Sequence, residues 1–355
     1  MTGEYPALNL PFQPPLQPML SAAQDSIPGG DGWLYEPKWD GFRALVFFDG
    51  ERIYLQSRDS RPLGRYFPEV EAGLAEVLHG PVILDGELVL MTEHGLAFEA
   101  LQMRLHPAAS RVRKLAVELP AQFVAFDLLA EGDTDLRGRP FEERHERLRA
   151  LIPVDRPPLY RTPATRDLVI AQDWFERFEG AGLDGLIAKR LDGVYQPGVR
   201  SLVKIKHRRT ADCVVAGFRW AKDLVGVAVG SLLLGLYDAD GILHHVGHTS
   251  SFKAPEKRAL VERLAPYLTD DEDAGFGGGR TPGTPSRWTS GKDVSWVRLR
   301  PELVCEVAFD HLQGDRFRHG TTFQRWRPDK PAEECTYDQL ETAVPAELRD
   351  LLSPR

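Results

Sequence analysis

Trp33-Leu-Tyr-Glu36-Pro-Lys38-Trp-Asp40-Gly41-Phe-Arg43-Ala-Leu-Val-Phe-Phe48 is the most informative stretch of the chain. A short apolar run, Trp33 to Tyr35, leads into Lys38-Trp39-Asp40-Gly41. Phe42 to Phe48 then reads as a strand, Asp49-Gly50 as its turn and Arg52-Ile-Tyr-Leu-Gln56 as the returning strand, a strong hairpin signal. A lysine ahead of a turn is commonplace on a protein surface. It becomes a covalent nucleophile only where its amine is neutral, and an unperturbed pKa of about 10.4 forbids that at pH 7. Neighbouring cations and partial burial lower such a pKa. The reading therefore depends on what the rest of the chain brings to this lysine.

Towards the N-terminus, Met1 to Ser21 holds Pro6, Pro11, Pro14, Pro15 and Pro18 and reads as an extended arm. Towards the C-terminus, Pro68 opens a helix expected to run to about Leu78, with proline and acids in its first turn. Apolar runs at Val82–Leu84, Glu87–Leu90 and Phe123–Leu128 are bounded by Gly, Asp or Pro, as strands are. Helical periodicity returns over Phe141–Leu151 and Asp173–Glu179, with further strands expected at Gly185–Lys189 and Leu202–Lys206. After Arg209 the texture changes. Strand-like segments at Cys213–Phe218, Gly226–Tyr237, Ile242–Gly247 and Leu303–Phe309 accompany one helix, Ala254–Leu268, the pattern of a small Greek-key barrel. Asp270–Gly291 is polar and rich in Gly and Pro, so a mobile loop is expected there. The organisation predicted is an arm over residues 1–21, a domain over 22–209 and a second over 210–355.

Composition narrows the class. At 355 residues the chain exceeds one ordinary core, and 42% hydrophobic with 27% charged residues excludes disordered and fibrous chains. The longest apolar stretch, Leu224 to Tyr237, is broken by three glycines and too short to span a bilayer. The opening MTGEYPALNLPFQPP shows no secretory signal. Cys213, Cys305 and Cys335 are scattered and build neither a disulfide framework nor a zinc module, as expected for a reducing compartment. A net charge of −8 is not that of a strongly cationic nucleic-acid binder. Yet only ten of the 44 bases are lysine, the rest being arginine, and Lys204-Ile-Lys206-His207-Arg208-Arg209 packs five potential cations into six residues.

Further charged groups recur at successive strand ends: Ser57-Arg58, Asp85-Gly86-Glu87, Phe126-Asp127, Asp184-Gly185-Leu-Ile-Ala-Lys189, Lys204-Ile-Lys206 and Arg327-Pro-Asp329-Lys330. Lys204 and Lys206 alternate along a strand, so both amines share a face. Together these are groups suited to holding a nucleotide triphosphate beside a nucleophile. In this order the motifs resemble those of the ATP-dependent DNA ligases of the covalent nucleotidyltransferase superfamily. The likeness runs from about Pro18 to Lys330, including Pro301-Glu-Leu-Val-Cys-Glu-Val-Ala-Phe309, and the shortness resembles the two-domain bacterial C type.

The resemblance implies an α+β fold: an adenylation (nucleotidyltransferase) domain of antiparallel sheets with flanking helices, followed by an OB-fold β-barrel. It implies that Lys38 takes AMP from ATP as a lysyl phosphoramidate and that Asp40 orients it. Arg43 and Glu87 match ribose contacts, Arg58 a phosphate contact, Phe126 the ring that stacks on adenine, and Glu36 an acceptor for the adenine amino group. Lys204 and Lys206 match the grip on the α-phosphate, and Arg327 and Lys330 the motif that orients departing pyrophosphate. Asp184, standing where the family has Glu, is assigned with Glu87 to a Mg2+ or Mn2+ ion. His244, His245 and His248 are read as surface or DNA-facing groups. The implied partner is nicked duplex DNA, with repair polymerases alongside a monomeric enzyme in the bacterial cytoplasm, nucleoid-associated, away from membranes and acting in DNA repair. RNA ligases and capping guanylyltransferases share the lysine nucleophile and remain the alternative reading.

Overall fold

The computed structural model describes residues 5–92, 95–177, 183, 185–206, 209–276, 279–283, 295–310 and 312–340. They form two compact units that meet between Lys206 and Arg209. In the first unit the strands are β1 Leu20–Gln24, β2 Trp33–Pro37, β3 Phe42–Phe48, β4 Ile53–Ser57, β5 Val82–Val89, β6 Gln122–Glu131, β7 Leu159–Arg161, β8 Gly185–Arg190 and β9 Arg200–Lys206. Its helices are α1 Pro68–Val77, α2 Phe98–Gln102, α3 Ala109–Glu118, α4 Phe141–Leu151 and α5 Leu168–Arg177.

Two sheets result. The smaller is ordered β1-β9-β8-β2 and the larger β7-β6-β5-β3-β4. All pairings are antiparallel except β1 with β9 and β7 with β6. One face of the small sheet (Tyr35, Leu186, Ala188, Val203, Ile205) packs on Leu168, Ala171 and Trp174 of α5. The large sheet buries Val46, Leu55, Leu84 and Phe123 against Val70 and Leu74 of α1 and Leu148 of α4. Between the sheets, Leu45, Phe47, Ile83 and Leu129 meet Leu202 together with Leu8, Leu16 and Met19. The proline-rich arm is thus extended but sealed down, and Gln56 ties Leu16 by its backbone at 3.0 and 2.6 Å.

The two strands expected around Asp85-Gly86 are one strand, β5. Gly86 is not a turn there: a Cβ would stand 2.4 Å from Phe123 and 2.5 Å from the Val124 carbonyl, so glycine permits close passage of β6.

The second unit holds β10 Arg209–Trp220, β11 Val229–Tyr237, β12 Leu243–Thr249, α6 Ala254–Leu264, β13 Val297–Phe309 and β14 Thr322–Trp326. Their sheet is antiparallel, ordered β12-β11-β10-β13-β14, with register shifts at Val215/Gly217, Leu234/Gly235 and Glu306/Val307 that bend it. Curling brings the third strand to the fifth. The Thr249 hydroxyl donates to the Thr321 carbonyl at 2.9 Å, and the Thr321 N–H to the His248 carbonyl at 3.0 Å. This is OB-fold connectivity, with Leu260 and Leu264 of α6 packed on the core. Of the expected loop Asp270–Gly291, residues 277–278 and 284–291 lie outside the described residues. Among the described residues no helix is long and apolar enough to cross a membrane.

Candidate active site

A groove of about 290 Å3 opens in the first unit, lined by residues of seven strands, of the loop after β2 and of the segments beside β1 and β4. Period-two alternation explains the selection. In the small sheet Glu36, Ile187 and Lys204 are register partners in one row across β2, β8 and β9, and Lys189 and Lys206 stand two residues further along the same face. Arg43 and Glu87 are register partners on β3 and β5, with Phe126 on β6 nearby. Lys38 enters from the loop after β2, its N–H held by the Gly185 carbonyl at 2.9 Å. Gly41 follows because nothing larger fits: a Cβ there would lie 2.1 Å from the Leu88 carbonyl oxygen.

Glu36, Lys38, Arg43, Arg58, Glu87, Phe126, Lys204 and Lys206 therefore converge on one groove. Arg58 is exposed at its edge. Asp40 is not part of the lining, although its charge reaches Glu87. Asp184 lies outside the described residues, as do His207 and Arg208 of the basic run. Arg327 and Lys330 belong to the second unit. There Arg327 binds both oxygens of Asp212 at 2.9 Å and Asp329 at 2.8 Å, and Lys330 reaches Asp212 at 3.2 Å.

The floor is held by a chain of hydrogen bonds. Arg43 donates to both oxygens of the fully buried Asp85 at 2.5 and 2.6 Å, leaving its guanidinium 4.5 Å from the Phe126 ring centre. Tyr195 Oη donates to Asp85 at 2.7 Å and accepts the Met19 N–H at 3.1 Å. Burial alone would lower the Arg43 pKa, and the Asp85 carboxylate overrides it and holds the guanidinium charged. At the base end, Lys189 reaches Glu36 at 2.8 Å, donates to the Phe126 carbonyl at 2.8 Å and sits 4.7 Å from the Phe126 ring centre. Burial lifts the Glu36 carboxyl to about 7 against the pull of Lys189. Burial likewise lifts Glu87 to about 7, opposed by Arg43 and Lys38.

Lys189, Asp85 and Tyr195 are site residues that the motif reading does not assign. Lys189 ends a stretch quoted for Asp184, and the signal that finds it is its register on the face of Glu36 and Lys204.

Among the described residues no three acid, histidine or cysteine side chains cluster as a metal site. Of the histidines read as surface or DNA-facing groups, His248 is exposed, whereas His244 and His245 are partly buried and engaged. His244 binds Asp238 at 2.8 Å and accepts the Arg280 N–H at 3.1 Å. His245 packs edge-on to Phe276 and is pushed down to about 3 by burial, then by Arg219.

Residues 18–206 match the family model of the ATP dependent DNA ligase domain, and residues 226–330 that of the ATP dependent DNA ligase C terminal region. DNA ligase C2 of Mycolicibacterium smegmatis is 50% identical over 345 residues, covering 94% of this chain and 97% of its own. DNA ligase C of Mycobacterium tuberculosis is 49% identical over 357 residues, covering 97% and 99%. The solved structure of a Lig E DNA ligase shares the fold at a TM-score of 0.52 and 18% identity, over 87% of this chain and 99% of that one. These matches do not favour the RNA ligase or capping guanylyltransferase alternative. With the family model covering most of the first unit and relatives of equal length at half identity, the chain belongs to the ATP-dependent DNA ligases.

Proposed function

We propose that this ligase seals nicks in duplex DNA through AMP carried on Lys38. The observation that carries the reading is the convergence of Lys38, Arg43, Glu87, Phe126, Lys204 and Lys206 on one groove. The Lys38 amine attacks the α-phosphorus of ATP, a P–N bond forms, and the P–O bond to pyrophosphate breaks. A 5′-phosphate oxygen of the nick then displaces the lysine, and the 3′-hydroxyl displaces AMP to close the phosphodiester. Lys204 and Lys206 neutralise charge developing on the α-phosphate. Phe126 offers the stacking face for adenine. Glu36 and Lys189 present an acceptor and a donor side by side, the complement of the adenine amino group and its neighbouring ring nitrogen.

Glu87 fits a magnesium or manganese ion. It is the groove carboxylate among the described residues not engaged by Lys189, and such ions use one or two carboxylates plus substrate phosphates. When bound, the ion would supply further charge neutralisation at the α-phosphate; Asp184 is the other candidate ligand. Arg327 and Lys330 would exchange Asp212 for pyrophosphate oxygens, which requires the second unit to close over the groove during the first step. The reading carries with it a monomeric enzyme of the cytoplasm and nucleoid, working in repair beside polymerases, with Arg298, Arg300, Arg316 and Arg318 as DNA contacts. Incubation with α-labelled ATP or GTP tests the nucleotide assignment. Covalent label is expected from ATP, and preferential labelling by GTP contradicts it.

A further inference from the structure

A second recess of about 390 Å3 lies in the first unit between α4, the segment after β7, and α5, and it shares no lining residue with the nucleotide groove. Helix α4 brings His145 and Arg149 to one face by their four-residue spacing, and Arg161 faces them from the end of β7. Thr162, beside Arg161, accepts the Trp39 indole N–H at 3.0 Å, so the recess backs onto the segment that carries Lys38.

Its charges differ from those of the buried arginines of the unit. Arg43, Arg104 and Arg144 each meet a carboxylate, Asp85, Glu69 and Asp127, and Arg166 at the recess rim is engaged by Glu142 at 2.7 Å. Among the described residues the guanidinium of neither Arg149 nor Arg161 donates to a carboxylate, while the Arg161 backbone N–H donates to Asp155 at 3.0 Å. Burial, and then the charge of Arg149, lower the Arg161 pKa, with Asp155 opposing. Glu146 lines the recess without pairing with either. At its base His145 is only 6% exposed, and its Nδ1 has no partner. Burial, followed by Lys189, Arg161 and Arg149, pushes that imidazole down to about 4 and keeps it neutral.

Two guanidiniums that repel one another, over a buried polar atom without a partner, are relieved together by a tetrahedral oxyanion. Guanidinium forks match phosphate oxygens, and charge-assisted bonds of this kind are among the stronger ones. We propose that this recess is a phosphate-binding site in which Arg149 and Arg161 grip the phosphate above His145, the phosphate belonging either to a nucleic-acid backbone or to a free oxyanion. The inference does not rest on the mechanism assigned to Lys38.

The test titrates inorganic phosphate into the full-length protein while His145 ring resonances are followed by NMR. It is repeated on Lys204→Ala/Lys206→Ala and on Arg149→Ala/Arg161→Ala. The site predicts a saturable His145 response in the wild type and in the lysine variant, weakened roughly tenfold or more in the arginine variant. Arg149→Lys/Arg161→Lys, which keeps the charges but loses the forks, should fall between, and this excludes misfolding as the cause. No saturable response at tens of millimolar phosphate, or equal affinity in the arginine alanine variant, overturns the proposal. Binding of nicked duplex then separates the sources. A parallel loss of DNA affinity assigns the site to the backbone, and an unchanged DNA affinity assigns it to a free oxyanion.

Discussion

The two units each contain an arginine bound to both oxygens of an aspartate, and the two pairs live in different surroundings. Arg43 and Asp85 lie under the groove with the carboxylate fully buried and Tyr195 locked onto it. Arg327 and Asp212 lie at the margin of the OB-fold, each partly exposed and with Asp329 competing for the same guanidinium. The first pair is a fixed support, because a buried carboxylate without its cation is costly. The second can be exchanged, because partly exposed pairs contribute little. The proposed mechanism, which holds a nucleotide still and moves two cations onto a leaving group, uses both kinds.

The largest effect is expected from Asp85→Asn, which strands Arg43 and Tyr195 in the floor. Denaturant unfolding should show a loss of about 3–5 kcal/mol, and adenylation should fall at least in proportion. A loss below about 1 kcal/mol would remove the distinction between the two pairs. Next comes Glu87→Gln, where stability and activity should part. With the Glu87 pKa raised by burial from an ordinary value of 4.5 to about 7, the wild-type carboxyl is harmless below 4.5. Its burial penalty grows as the pH rises to about 7 and is constant above. The variant should therefore gain on the order of 1–3 kcal/mol over wild type between pH 4.5 and 7.5 while losing adenylation. Equal pH profiles of stability would contradict this. Tyr195→Phe loosens the same floor more gently, at about 1–2 kcal/mol. It should raise the KM for ATP more than it lowers kcat, and the reverse split would show that Tyr195 does not position Arg43. Smallest is Asp212→Asn, expected to cost under about 1 kcal/mol and to leave adenylation unchanged or faster, since it releases Arg327 and Lys330. Slower adenylation would mean that Asp212 aims these cations rather than holding them back.

What the sequence revealed follows the same division. Lys204 and Lys206 are legible from strand alternation, and Lys38, Glu87 and Phe126 from their resemblance to the ligase motifs, none of which refers to distant partners. Lys189 is not, because what makes it a site residue is Glu36, 153 positions away in the chain. Asp85-Gly86 looks like a turn in one dimension and is a close strand crossing in three. Helices α2 and α3 carry no start signal, since Ala97 and Ala108 precede them and neither end has a capping side chain. Helix α5, expected from Asp173, begins at Leu168. Its signal was present in Asp167, whose carboxylate accepts the Val169 N–H at 2.7 Å. The barrel was legible as a set of strands around one helix, but its closure rests on Thr249 and Thr321, which no local pattern marks.

The central claim is that AMP is carried on one amine in the groove. Mass spectrometry of the full-length protein after incubation with ATP and magnesium, followed by peptide mapping, measures this directly. The account predicts a single adenylate on the peptide containing Lys38, absent in Lys38→Ala. An adduct mapping to Lys189, Lys204 or Lys206 instead, or an unmodified Lys38 in a folded protein that still seals nicks, contradicts it.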